Sequence, residues 1–112
     1  MDARWQLKRP DLYLLDRLCS IADHMVDTRT VQIGDTAIRT LRDEVQMLRY
    51  TPREENLVGY EAACLIECIA ALAFARSDKD SAGESKAVMY INCFRNFVRR
   101  DLEAAKKREG MS

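Results

Sequence analysis

Apolar and polar positions follow a helical period along most of this chain. In residues 11–27, Leu14, Leu15, Leu18, Ile21, Ala22 and Met25 fall on one side of a helix, with Asp16, Ser20, Asp23 and Asp27 on the other. Pro10 suits the first turn of that helix. The next stretch, TRTVQIG, breaks the pattern and reads as a connector. Asp35 or Thr36 can then cap a second helix over residues 36–50. Its seam of Ile38, Leu41, Val45 and Leu48 is narrow, as in a peripheral helix touching one neighbour or a coiled-coil-like pair.

Thr51-Pro52-Arg53-Glu54 has the form of a capping box and opens a third helix over residues 52–76. Between Ala62 and Ala75 its sole charge is Glu67, so this helix is expected at the centre, enclosed by the others. Gly59 and Ala63 share one face and mark a close approach of another backbone. The polar run SDKDS makes a turn, and Ser81-Ala82-Gly83-Glu84 forms a second capping box for a fourth helix over residues 82–108. So short a turn sets helices three and four antiparallel. On helix four, Ala87, Ile91, Phe94, Val98, Leu102 and Ala105 form a stripe that Met89, Tyr90, Cys93 and Phe97 widen. The widened arc is about twice the ~100° that one packed neighbour requires. The pattern predicts an all-α, four-helix, bundle-like single domain over residues 1–112. Residues 1–9 are expected as an arm that Trp5 can anchor, and 109–112 as a tail.

Composition changes this picture little. A chain of 112 residues with 47% hydrophobic content buries a core without disulfide or metal staples. Eighteen basic residues balance eighteen acidic ones, which argues against a dedicated nucleic-acid binder. The N-terminus lacks an apolar signal region, and neither end carries a lipidation motif. Glu61 and Glu67 interrupt the apolar run that might otherwise span a membrane. A cytoplasmic protein is expected. Cys19, Cys64, Cys68 and Cys93 are expected as reduced, buried thiols, and no metal or cofactor is expected.

Several residue groups offer chemistry. Met89, Tyr90, Cys93 and Phe97 suit a partner interface, where Met and aromatics are favoured. Arg95, Arg99, Arg100, Lys106 and Lys107 form a basic end on helix four, interrupted by Asp101 and Glu103. The helix dipole alone favours cations there. Asp16, Asp23 and Asp27 line helix one as a docking face, a weak cation site or a solvated face. Cys64 and Cys68, one turn apart, lack the knuckle geometry of zinc sites. Glu67 is expected either in a solvent strip or buried and paired with Arg95 or Arg99. Glu54-Glu55 lacks the further acid of the E-E-x-x-E run of all-α nucleotide pyrophosphatases, and no Glu-x-x-His of di-iron bundles is present.

Arg17 and His24, spaced R-x6-H on one face, resemble the motif of the HEPN ribonuclease families, helical domains of similar size. The resemblance covers residues 17–24 alone. It implies an RNA-cleaving pair at a dimer cleft, although in those families the motif usually lies late in the chain. The expected function is a small non-catalytic protein-binding module, an adaptor, inhibitor or regulator, with a homodimer as one arrangement. The alternatives are a HEPN-like ribonuclease using Arg17 and His24, and a nucleic-acid-associated regulator using the basic end of helix four.

Overall fold

The computed structural model describes residues 9–28, 33–49 and 57–108. They form four helices: α1 Arg9–Asp27, α2 Asp35–Arg49, α3 Leu57–Ser77 and α4 Ser81–Arg108. No strand occurs among the described residues, so the all-α four-helix expectation holds. The arm with Trp5, most of the connector, the Thr51–Glu54 capping box, the side chain of Leu48 and the tail lie outside the described residues.

Helix α3 is the axis of the bundle. It packs most extensively on α4, then on α2, and more lightly on α1. Leu65, Ile69 and Leu72 are completely buried, and Val58, Ala62 and Ile66 nearly so. Burying each Leu or Ile contributes roughly 1.5–3 kcal/mol. The segment Val58–Ser77 is long and apolar enough to cross a membrane, and half of its most apolar part is buried in the bundle. The helix is not enclosed all round, however. Tyr60, Glu67, Ala71 and Phe74 face solvent along one strip. Gly59 is buried and Ala63 half-buried.

Helix α4 lies against both α3 and α1. Its stripe of Ala87, Ile91, Val98, Leu102 and Ala105 is buried, and Phe94 is half-buried. Helix α2 places Ile38, Leu41 and Val45 in the core and mostly contacts α3. Gly34 supplies the first acceptor of α2, taking the Ile38 N–H at 3.0 Å. Asp35 therefore sits inside the first turn, where the dipole favours its charge.

The α3–α4 turn closes differently from the capping box read in the sequence. Lys79 adopts a left-handed conformation, φ 56°. The Asp80 N–H bonds Ala75 O at 2.8 Å and the Lys79 N–H bonds Arg76 O at 3.2 Å, a Schellman pattern. Asp80 then caps α4, its Oδ1 accepting the Gly83 N–H at 3.0 Å. The cap is thus Asp80 rather than Ser81. A Cβ at Gly83 would stand 2.4 Å from the Asp80 carboxylate, so the glycine leaves room for the cap. Glu84 does not reach back to Ser81. It accepts from Arg76 Nε at 2.7 Å. Arg76, nearly buried, also donates through Nη2 to Met25 O at 2.6 Å, satisfying a carbonyl in the last turn of α1. One guanidinium fastens three helices.

Candidate functional site

The face of α4 that meets α1 is covered with ion pairs. Asp23 of α1 accepts from Arg95 Nη1 at 2.9 Å and Arg99 Nη2 at 2.6 Å. Two turns further along α4, Lys106 Nζ reaches Asp16 Oδ2 at 2.9 Å. The hydrogen bond to Asp23 raises the pKa of Arg99, and that to Asp16 raises the pKa of Lys106. The acidic line on α1 and the basic end of α4 are two halves of one interface. Asp27, in the last turn of α1, is exposed. Of the five basic residues singled out in the sequence, Arg100 and Lys107 remain exposed on the outside.

The opposite flank of α4 has another character. Met89 is 60% exposed, Tyr90 43% and Phe97 39%, and Cys93 is exposed beside them. All four interface candidates lie together on the side that neither α1 nor α3 covers. Phe97 meets Phe94 edge-on, centroids 6.5 Å apart, which ties the flank to the core. The Arg100 guanidinium lies 5.4 Å over the Phe97 ring.

Beside this flank a groove of about 650 Å³ runs along α3, with Tyr60, Ala63, Cys64 and Cys68 in its floor. Tyr90 and Phe94 of α4 form one wall, and Arg42 and Gln46 of α2 the other. Glu67 stands at the rim. It is exposed, and Arg42 clamps it through Nε at 2.7 Å and Nη2 at 2.8 Å. This fork lowers the Glu67 pKa and raises that of Arg42. Neither Arg95 nor Arg99 is its partner, because both turn toward α1.

The unusual carboxylate is Glu61. It is half-buried where α3 faces α4, with Oε2 sealed from solvent and without a hydrogen-bond partner. Burial, a hydrogen bond to Asp101 and the charge of that aspartate push its pKa up to about 7 against the pull of Arg100. Burial and a neighbouring carboxylate both disfavour the charged form of Glu61. Sequence reading missed this pair. Its signal is that Glu61 lies four residues before Leu65, on the flank of α3 that carries Cys68 toward α4.

Cys19 is buried, and desolvation pushes its thiol up to about 11. Cys64 and Cys68 are half-buried rather than fully buried, and all four thiols are free. Burial first, then Cys64, Glu67 and Cys93, raise the Cys68 pKa. Among the described residues no group of three His, Cys, Asp or Glu side chains could hold a metal ion.

Arg17 and His24 do line one groove, of about 520 Å³, with Ile21, Ile33 and Ala37. Arg17 is committed to Glu44 of α2 at 2.7 Å, while His24 is exposed. Comparison with protein-family models, curated proteins and solved structures yields no match.

Proposed function

We propose that this chain is a small protein-binding module that engages its partner through the outer flank of α4, and that it performs no catalysis itself. The single observation carrying this reading is the exposure of Met89, Tyr90, Cys93 and Phe97 on a helix already packed against two neighbours. The surplus apolar arc is therefore left uncovered by the described helices. The groove along α3 extends the same surface and gives it concave relief, as binding sites generally have. Aromatics and Met, flanked by polar residues, are the composition expected at the centre of such a patch.

Phe97→Asp or Met89→Asp tests the proposal. Each is expected to abolish a complex recovered with the wild-type chain, or its self-association, while leaving the fold intact. Unchanged association measured by sedimentation would remove the flank from consideration.

The nuclease alternative draws on the shared groove of Arg17 and His24. It requires RNA cleavage by purified wild type that His24→Ala abolishes. The nucleic-acid alternative has less to draw on, since Arg95, Arg99 and Lys106 are engaged with aspartates. It requires salt-dependent binding weakened by Arg99→Ala and Lys106→Ala.

A further inference from the structure

If the outer flank of α4 is the docking surface, its charges specify what docks there. At 100° per residue, Lys86, Met89, Cys93, Phe97, Arg100 and Lys107 fall along one strip of the helix. Every charge on that strip is positive. Lys86 and Lys107 are exposed and have no ion-pair partner among the described residues. Arg100 is 70% exposed and stands 3.8 Å from Asp101, at the edge of ion-pair range. Asp101 lies between Arg100 and Glu61 on the α3 side, and Glu103 lies beside Lys106 on the α1 side, so neither acid approaches Lys86 or Lys107. The result is an apolar centre with a cation at each end.

From this charge pattern we infer that the partner presents an amphipathic helix whose apolar seam is bracketed by acidic residues. Lys86 and Arg100 are fourteen residues apart, so they sit about 21 Å apart along the axis. A partner helix would match them with Asp or Glu two heptads apart, enclosing three or four apolar positions that meet Met89, Tyr90, Cys93 and Phe97. A second copy of this chain fits poorly. Antiparallel two-fold pairing about Cys93 sets Lys86 against Arg100 of the other copy, seven residues to either side. Parallel pairing sets each cation against itself. Like charges in register oppose both arrangements. A nucleic acid fits poorly as well, because three cations spread over about 31 Å of helix are too sparse for a phosphate backbone.

The inference rests on the proposed flank, and a selection experiment separates the two. A displayed library of helical peptides of about 18 residues, ~27 Å long, carries a fixed apolar seam and random Asp, Glu, Lys, Arg or Ser at the bracketing positions. Sorting on the full wild-type chain is expected to enrich Asp and Glu at positions two heptads apart. The double variant Lys86→Glu/Arg100→Glu is expected to enrich Lys and Arg there instead, and to bind the acidic peptides at least about tenfold more weakly. Phe97→Asp is expected to enrich nothing, with wild-type melting behaviour confirming its fold. Enrichment that Phe97→Asp abolishes but that shows no charge bias overturns the acidic partner and keeps the flank. Enrichment indifferent to Phe97→Asp, or none at all, overturns both. A concentration-dependent dimer broken by Phe97→Asp, or binding of random single-stranded RNA lost in Lys86→Glu/Arg100→Glu, also overturns the acidic partner.

Discussion

On the side of α4 that meets α1, Arg95, Arg99 and Lys106 each find an aspartate. On the side away from both neighbours, Lys86 and Lys107 find no acid among the described residues, and Met89, Tyr90 and Phe97 face solvent. The same helix thus carries two surfaces of nearly equal cationic content and opposite state. The inner one is neutralised across a helix interface and half-shielded from water, so its charges act on stability and register. The outer one leaves its charges and its apolar area available to something else. A basic run in a sequence is therefore not a single feature. Where each cation points around the helix decides whether it belongs to the fold or to a partner.

Substitutions on the inner side are expected to cost stability and those on the outer side to cost binding. The largest effect belongs to Arg76, which links α1, α3 and α4 from a nearly buried position. Arg76→Ala strands Glu84 and the Met25 carbonyl, and chemical denaturation should show a loss of about 3 kcal/mol. Next is Asp23, which holds two arginines. Asp23→Asn should cost about 1–2 kcal/mol by the same measurement, because it leaves the half-buried Arg95 without its counter-charge. A loss no larger than that of the exposed Glu67→Gln, ~0.5 kcal/mol, would show that the inner interface holds nothing together.

The acid pair at the α3–α4 interface gives a pH signature. Glu61 titrates near 7 in the fold, above its ordinary 4.5, so the folded state keeps its proton longer than the unfolded chain. This group lowers stability as pH rises from about 4.5 to about 7 and has no further effect above. Glu61→Gln should remove that decline. Relative to wild type it should gain on the order of 1 kcal/mol above neutral pH, after allowance for solvent screening, and nothing below the ordinary carboxylate range. Denaturation midpoints of both proteins across that window are the check. One further substitution is expected to raise stability. Lys79 occupies a left-handed cap position where glycine is unstrained, so Lys79→Gly should raise stability by ~0.5–1 kcal/mol in a thermal melt.

Much of the fold was legible in the sequence because periodicity reports which residues share a face. The four helices, the apolar core of α3 and the surplus arc on α4 all follow from spacing alone. Periodicity does not report how one helix is rotated against another. That rotation gave Glu67 to Arg42 rather than to Arg95 or Arg99, and it turned Glu61, not Glu67, into the buried acid. It also brought Asp16 to Lys106 across ninety residues of chain. The cap at Asp80 was hidden for a different reason. A single residue ends one helix motif and begins the next, and Ser81 offered a plausible box one position later. The candidate flank itself was named in full by its spacing, and the structure added its exposure and its unbalanced charge.

The most direct measurement is a titration of wild type and Phe97→Asp against the partner recovered with the wild-type chain, with melting curves of both. Loss of binding by more than about tenfold, with stability unchanged to within ~0.5 kcal/mol, is the expected result for an exposed side chain at the centre of an interface. Equal binding by the two proteins, both folded, would show that the outer flank of α4 is not where this protein meets its partner.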